Sequence, residues 1–212
     1  MKKSFQFPFE AHYVISHDPN FQESEIWIVF HGYGQLAEFF IRKFNPFFNP
    51  DRLIVAPEGT NYGYLQNFQG RVGANWMTKH ERETAIANNH RYLDGLMESI
   101  LQSYSVLPKI NVLGFSQGAA TATRWAGRWS EKIEHLVLWS GGFAHDLKLT
   151  EAKERFSSTK FTIVLGDQDS MITQESLEKQ SELMKKLEKT AEIIHFEGGH
   201  ELNQEVLKKL FE

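Results

Sequence analysis

The stretch that decides the fold is KINVLGFSQG (Lys109–Gly118), in which a short apolar run ends at Gly114 and Ser116 stands between two glycines. The next residues, AATATRW (Ala119–Trp125), begin a helical pattern with small side chains. Glycines on both sides of a serine let a strand and a helix approach closely, so that the sharp turn between them exposes the hydroxyl. The segment therefore predicts a strand, a tight corner and a helix, with Ser116 presented as a nucleophile. The alternative is an ordinary glycine-flanked junction.

Five further apolar runs of strand length occur along the chain, and they are nearly continuous rather than alternating. They are Ile26–Phe30, Leu53–Ala56, His135–Trp139, Phe161–Gly166 and Glu192–Phe196. Such runs are typical of strands in a parallel sheet that is buried on both faces. A further short run, YVIS (Tyr13–Ser16), is expected to add an antiparallel strand at the edge.

Amphipathic segments lie between the apolar runs. The longest extends around Glu81–Tyr104, and Thr78 with Glu81 is expected to form a capping box at its start. Another helix is expected to begin near Thr173, and a short helix closes the chain. Strands that alternate with helices predict an α/β fold with a mostly parallel central sheet and helices on both faces. We find no insertion long enough for a cap domain, so a single domain is expected over residues 1–212.

Composition limits the classes of function. The net charge of −4 gives no basic surface for nucleic acid, and the absence of cysteine excludes disulfides and thiolate chemistry. The N-terminal residues lack the continuous apolar stretch of a signal peptide, and no run approaches transmembrane length. A cytoplasmic protein without stable membrane insertion is therefore expected.

A serine nucleophile requires a base and an acid that orients the base. On a sheet of this kind both should follow the serine, the acid first and the histidine second. His200 comes just after the last apolar run and a pair of glycines, and it is the predicted base. His195 lies inside that run and is interpreted as a core histidine. For the acid, Asp167 and Asp169 both stand at a strand end, and Asp167 could instead cap the turn.

Two backbone N–H groups are needed to bind the negative charge that develops on the substrate oxygen. Gln117, the residue after the predicted nucleophile, is expected to supply one. The run Ile26–Phe30 leads into His31–Gly34, where glycines let the backbone bend toward the serine, and the Tyr33 amide is expected to supply the other. His31 precedes the serine and is interpreted as a structural hydrogen-bonding residue.

The order of motifs along nearly the whole chain resembles a known family. The motifs are HGYG (His31–Gly34), APEG (Ala56–Gly59), GFSQG (Gly114–Gly118), GDQD (Gly166–Asp169) and a late GGH (Gly198–His200). Together they resemble the phospholipase/carboxylesterase group of α/β-hydrolases, which includes acyl-protein thioesterases. The resemblance implies an α/β-hydrolase fold, cleavage of esters or thioesters by a Ser-His-Asp triad, no metal or organic cofactor, and little or no lid.

In that family the second aspartate of the GDxD segment is the triad acid, which maps onto Asp169, and the oxyanion amides map onto Tyr33 and Gln117. The chain also departs from the family pattern. Gln35 stands where an aspartate commonly follows the HGxG motif, and Met77 and Thr78 follow a tryptophan where an acidic residue is common. Both positions flank the expected acyl pocket, so these departures are expected to affect which substrate is bound rather than the catalytic chemistry.

The residues after Leu53–Ala56 form a segment rich in glycine and aromatic residues, Pro57–Thr78, which is expected to be a binding loop. An apolar substrate slot is expected to be lined by loop residues, namely Trp76, Tyr62, Tyr64, Phe68 and Met171. A second aromatic cluster, Phe39–Phe48, is expected to lie mainly in the core, with the pocket as the alternative.

Two other functions fit parts of the sequence. The segment GYGQLA (Gly32–Ala37) fits a dinucleotide-binding pattern, and Glu58 stands where a ribose-binding acid would be. That interpretation predicts an oxidoreductase but leaves Ser116 and His200 unexplained. A non-catalytic module that binds an apolar ligand is the other alternative. A zinc hydrolase is not favoured, because Thr84 and Gln204 occupy the position of the second histidine in the two candidate motifs.

Overall fold

The structure is a computed structural model that describes residues 1–212. Nine strands alternate with six α-helices and one 3-10 helix. The strands are β1 Tyr13–Ile15, β2 Glu25–Phe30, β3 Arg52–Pro57, β4 Asn61–Gln66, β5 Gln69–Asn75, β6 Lys109–Phe115, β7 Ile133–Trp139, β8 Lys160–Gly166 and β9 Glu192–Phe196. The helices are α1 Ala37–Phe40, the 3-10 helix Ile41–Phe47, α2 Arg82–Leu101, α3 Gln117–Ala126, α4 Leu149–Arg155, α5 Gln174–Lys186 and α6 Gln204–Phe211.

Seven strands form the central sheet in the order β1-β3-β2-β6-β7-β8-β9. Only β1 is antiparallel, paired with β3 at the edge, and the other neighbours are parallel. All six apolar runs form strands of this sheet, so the α/β prediction and the edge strand are confirmed. No helix is both long enough and apolar enough to cross a bilayer.

Alternate residues of each central strand pack on opposite faces of the sheet. In β2, Ile26 and Ile28 face the side covered by α2, α3, α4 and α5, whereas Trp27 and Val29 face α1, the 3-10 helix and α6. Helices on both faces explain why the central strands are almost continuously apolar, because neither of their faces meets water.

The phenylalanine-rich segment packs mainly in the core, as expected. Phe40, Phe44 and Phe47 are buried beneath the sheet against α6, while Phe39 is half exposed and Phe48 is partly buried. These rings belong to the face opposite α2 and α3 and close that side of the fold.

Two local predictions are wrong. Glu81 adopts a left-handed conformation (φ 50°) and α2 begins at Arg82 without a capping side chain, so the Thr78–Glu81 capping box is absent. The Glu81 carboxylate pairs with Lys2 instead. The expected binding loop, Pro57–Thr78, is mostly a two-stranded hairpin formed by β4 and β5. By contrast, Thr173 caps α5 as expected and forms a capping box with Ser176.

Candidate active site

Ser116 lies at the sharp turn between β6 and α3 in a backbone conformation that is unfavourable for a non-glycine residue (φ 55°, ψ −120°). The flanking glycines make this turn possible. A Cβ atom at Gly114 would lie 2.6 Å from the Gly118 carbonyl oxygen, and one at Gly118 would lie 2.6 Å from the His31 carbonyl oxygen. Because these neighbours are backbone atoms, neither position accepts a side chain. The strand, corner and helix follow the pattern predicted from the sequence.

The structure brings together the three side chains predicted as catalytic residues. His200 Nε2 lies 2.8 Å from Ser116 Oγ, and His200 Nδ1 lies 2.8 Å from Asp169 Oδ2. The three residues are 84 and 31 positions apart in sequence, and each follows a strand at the carboxyl edge of the sheet. In this geometry one imidazole nitrogen can accept a proton from the serine hydroxyl while the other is held by a carboxylate.

Asp169 is fixed more firmly than the other two residues. Its side chain is fully buried, and Oδ1 accepts a hydrogen bond of 3.0 Å from the Met171 N–H. Burial alone would raise the pKa of Asp169, but the hydrogen bonds from His200 and Met171 outweigh it, and the pKa lies below its ordinary value. The carboxylate therefore stays ionised beside the imidazole at neutral pH.

The loop that carries His200 is held by a second buried contact. The indole N–H of Trp139, at the end of β7, donates a 2.8 Å hydrogen bond to the Glu201 carbonyl. The ring of Phe115 lies against the imidazole, with ring centres 5.0 Å apart. Strand β7 and strand β6 thus both position the histidine.

The competing aspartate and histidine form a pair of their own. Asp167 Oδ1 lies 2.9 Å from His195 Nδ1, and both side chains are more than half exposed. The prediction that His195 is a core residue is wrong, because β9 is an edge strand and this face of it meets solvent. This pair has the same carboxylate-to-Nδ1 contact as Asp169 and His200, but it is exposed and no serine lies beside it in the hydrogen-bonded chain.

Of the two expected oxyanion donors, Gln117 directly follows the serine, and Tyr33 lies in the loop after β2, the strand that pairs with β6. In the loop after β2, the Gly32 N–H donates to Gln35 Oε1 (2.8 Å) and the Gly34 N–H donates to the Ala74 carbonyl (2.8 Å). The Tyr33 N–H between them has no acceptor in the protein, although the loop is held on both sides. Gln117 is the first residue of α3, where backbone N–H groups have no partner within the helix.

His31 is the structural hydrogen-bonding residue that the sequence predicts. It is fully buried, Nε2 accepts from the Gly59 N–H (2.9 Å), and its ring stacks on Trp76 with centres 4.9 Å apart. Burial lowers its pKa, so the imidazole remains neutral.

Four of the five residues expected to line the substrate slot lie elsewhere. Trp76 is fully buried in the core and its indole N–H donates to the His31 carbonyl (2.9 Å). Tyr62 donates to Glu58 Oε1 (2.9 Å), and burial together with this carboxylate raises the pKa of Tyr62 to about 12. Tyr64, on β4, and Phe68, in the turn between β4 and β5, are both exposed.

A cavity of about 490 Å³ opens beside Ser116, and of the expected slot residues only Met171 lines it. This volume is typical of a small-molecule site. The sequence did not identify most of its walls, which come from the loop after β7, the start of α5 and the cavity face of α3. The lining includes Met77, Arg82, Ala120, Arg124, Ser140–His145, Leu165 and Leu177. The spacing of Ser116, Ala120 and Arg124 by four residues was the available signal, since it places them on one face of a helix.

The glycine-rich GYGQLA segment lacks the surroundings of a dinucleotide site. The helix that follows it, α1, has four residues, and the hairpin strand β5 covers the loop through the bond from Gly34 to Ala74. Glu58, the residue expected to bind a ribose, accepts hydrogen bonds from the Ala37 N–H (2.7 Å) and from Tyr62. Its carboxylate is therefore occupied within the protein, and the structure does not favour the oxidoreductase interpretation.

Comparison with known proteins agrees with the motifs. A family model described as Phospholipase/Carboxylesterase matches residues 11–212. The chain belongs to this family. No curated protein sequence matches the chain.

Solved structures similar to this phospholipase/carboxylesterase family member extend over nearly its whole length. They include esterase PE8 (20% identity, TM-score 0.71, covering 96% of this chain and 97% of that one). Acyl-protein thioesterase 2 from Zea mays gives 16% identity and a TM-score of 0.69, covering 95% and 96%. The carboxylesterase from Bacillus cereus gives 13% identity and a TM-score of 0.67, covering 95% and 92%. At these identities the similarity shows the α/β-hydrolase fold alone.

The positions at which this phospholipase/carboxylesterase chain departs from the family pattern have defined contacts. Gln35 Oε1 accepts the Gly32 N–H and so holds the loop that presents the Tyr33 amide. The Gln117 side chain accepts from the Trp76 N–H (2.9 Å) and donates to the Met77 carbonyl (3.0 Å), which joins the segment after β5 to the nucleophile turn. Met77 itself lines the cavity, where it supplies apolar surface.

Proposed function

We propose that the protein is a serine hydrolase that cleaves carboxylic esters or thioesters through an acyl-enzyme intermediate. The observation that carries the proposal is the continuous hydrogen-bonded chain from Ser116 Oγ through His200 to the buried Asp169 carboxylate. This chain ends at a strained turn beside a cavity, where a substrate carbonyl can reach the hydroxyl. Membership of the phospholipase/carboxylesterase family supports the same reaction class.

In the first half-reaction Ser116 Oγ attacks the acyl carbonyl while His200 Nε2 takes the hydroxyl proton. The carbonyl oxygen becomes an oxyanion, which the N–H groups of Tyr33 and Gln117 bind. Collapse of the tetrahedral intermediate breaks the bond to the alcohol or thiol, which receives the proton from His200. Asp169 holds the imidazole in the tautomer that can accept the serine proton, and it stabilises the imidazolium.

In the second half-reaction water attacks the acyl-serine ester. His200 takes a proton from the water and returns it to Ser116 as the carboxylic acid leaves. The strained turn contributes because it keeps the hydroxyl clear of the helix backbone and within reach of both the histidine and the substrate.

The proposal is tested with p-nitrophenyl esters and acyl thioesters of matched acyl chain. The wild-type protein should release p-nitrophenol in a burst of one equivalent followed by slower turnover, because the acyl-enzyme accumulates. Ser116→Ala should abolish the burst. Ester turnover that persists in Ser116→Ala without a burst would contradict the mechanism, and absence of any turnover by folded wild-type protein would favour a non-catalytic binding module.

A further inference from the structure

The cavity beside Ser116 carries positive charge at the end away from the serine. Arg124 and Arg82 both line it, from α3 and from the start of α2. Arg124 follows Ser116 by eight residues, so their Cα atoms lie about 12 Å apart along the axis of α3. Side chains on a helix lean toward its N-terminus, which directs the Arg124 guanidinium back toward the serine.

Arg124 is largely buried, and only one of its nitrogens is bonded within the protein. Its side chain is 9% exposed, and its Nε atom donates a 2.7 Å hydrogen bond to Asp146 Oδ1. The two terminal nitrogens of the guanidinium make no hydrogen bond within the protein. A guanidinium has five N–H donors, and the terminal nitrogens of Arg124 are open to solvent rather than sealed in the protein interior. The unused donors of Arg124 belong to a side chain that lines the cavity, so a bound molecule can supply the acceptor.

The two arginines differ in how far they are paired. Asp146 is shared, because its other oxygen, Oδ2, lies 2.9 Å from Arg82 Nη2. Arg82 also pairs with the exposed Glu83 carboxylate, whereas Arg124 has only its share of Asp146. Burial lowers the pKa of Arg124, and the hydrogen bond and charge of Asp146 do not offset this effect fully.

The other residues of the lining leave Arg124 without a further acidic partner. Lys179 and Glu175 form their own pair of 2.6 Å near the start of α5. Ala120 lies between Ser116 and Arg124 on α3, and Met77, Phe143 and Leu165 add apolar side chains to the lining. The cavity thus offers the serine hydroxyl, apolar surface, and a guanidinium whose terminal nitrogens have no partner in the protein.

We propose that the preferred substrates are esters or thioesters that carry a carboxylate, separated by an apolar spacer from the acyl group that Ser116 attacks. The Arg124 guanidinium binds the carboxylate through its two terminal nitrogens, and Arg82 adds charge. A carboxylate monoanion fits better than a phosphate dianion, because Arg82 is already paired with Asp146 and Glu83 and only Arg124 has unused donors. This inference rests on the proposed serine hydrolase function and specifies the substrate class of that site.

The test uses two pairs of esters, and the two members of each pair differ only in whether they carry a carboxylate. In the first pair the carboxylate is on the acyl chain, as in mono-p-nitrophenyl suberate against p-nitrophenyl octanoate. In the second it is on the alcohol, as in 4-carboxyphenyl acetate against 4-methylphenyl acetate. The readout is the ratio of kcat/KM for the charged ester to kcat/KM for its neutral partner. The two pairs also distinguish which side of the scissile bond faces the arginines.

Wild-type protein should give a ratio above one in at least one pair, and Arg124→Gln should lower that ratio by about 10- to 100-fold, the effect of losing hydrogen bonds to a charged group. Arg124→Lys should restore part of it. Arg128→Gln is the matched control, since Arg128 lies in the turn just after α3 and pairs with Asp94 outside the cavity. It should leave the ratio unchanged.

A wild-type ratio below one in both pairs, or a ratio that Arg124→Gln does not change, overturns the inference. A purely structural role for Arg124 would lower both members of a pair equally and so gives the second of these results. If Arg124→Gln does not fold, Arg82→Gln replaces it and should lower the ratio several-fold. Labelling of Ser116 by a neutral fluorophosphonate reports the proposed hydrolase function separately, because that probe carries no carboxylate.

Discussion

Asp169→Asn tests how the buried carboxylate acts, because the substitution preserves shape and removes one acceptor. The Asp169 side chain has two bonds to keep, one oxygen with His200 Nδ1 at 2.8 Å and the other with the Met171 N–H at 3.0 Å. An asparagine can accept only one of them. If its oxygen faces Met171, its NH2 faces His200 Nδ1, and the imidazole then carries its proton on Nε2 and cannot accept the serine proton. If the amide flips, the correct tautomer returns but two buried N–H donors face each other at Met171.

The expected loss of kcat in Asp169→Asn has two contributions. An unsatisfied buried donor costs about 1–3 kcal/mol, which reduces the productive tautomer by about 5- to 150-fold. Loss of the charged partner of the imidazolium removes a further 1.5–3 kcal/mol or so of stabilisation in the transition state. We therefore expect kcat on a p-nitrophenyl ester to fall by about a hundredfold to ten-thousandfold in Asp169→Asn, with the fold intact by circular dichroism.

Asp167→Asn is the matched control, because it makes the same chemical change to an aspartate that holds a histidine at 2.9 Å at the same strand end. That pair is more than half exposed, so the variant should retain wild-type kcat. The reasoning is refuted if Asp169→Asn loses less than about tenfold in kcat, or if Asp167→Asn loses as much as Asp169→Asn.

Three further predictions concern the turn and the stability of the fold. Gly118→Ala should lower the free energy of unfolding in urea by about 1–3 kcal/mol, because the new methyl group would clash with the Phe30 and His31 carbonyl oxygens. It should also make fluorophosphonate labelling slower, and an unchanged labelling rate would contradict this prediction. Gly95→Ala, in the middle of α2 with open space around the added carbon, should instead stabilise by about 0.5–1 kcal/mol, and a loss of stability would show that the site is more crowded than the structure indicates. His135→Gln should make the stability of the protein less sensitive to acid. Burial lowers the pKa of His135 from 6.5 to about 4, so between these pH values the unfolded chain binds a proton at this residue and the folded protein does not. The free energy of unfolding of the wild type therefore falls as the pH falls from about 6.5 to about 4. The wild type should lose about 2 kcal/mol more than His135→Gln between about pH 7 and pH 4.5, and equal losses would contradict the assignment.

Most of the fold could be predicted from the sequence, because strands that are buried on both faces appear in it as continuous apolar runs. Strands such as Ile26–Phe30 have no polar face, and each run ends where the chain turns over the carboxyl edge of the sheet. The corner at Ser116 was also predictable, since the backbone of β6 and α3 leaves no room for a Cβ atom at Gly114 or Gly118.

The residues that line the cavity beside Ser116 could not be predicted in the same way. Aromatic residues on a long connection indicate either a pocket or a hairpin, and the choice depends on strand pairing between Asn61–Gln66 and Gln69–Asn75. The exposure of His195 depends on β9 being the last strand of the sheet, which a single strand pattern does not reveal. Arg124 was overlooked because an arginine on a helix is usually solvated, and its burial depends on Asp146, which is 22 residues away.

The most direct measurement of the central claim is the site of covalent modification by a fluorophosphonate, located by mass spectrometry of the digested protein. The serine hydrolase mechanism predicts one adduct per chain, on Ser116, with labelling lost in Ser116→Ala and with kcat in that variant reduced at least about a thousandfold. An adduct on another residue, or esterase activity that persists at the wild-type rate in Ser116→Ala, would contradict it.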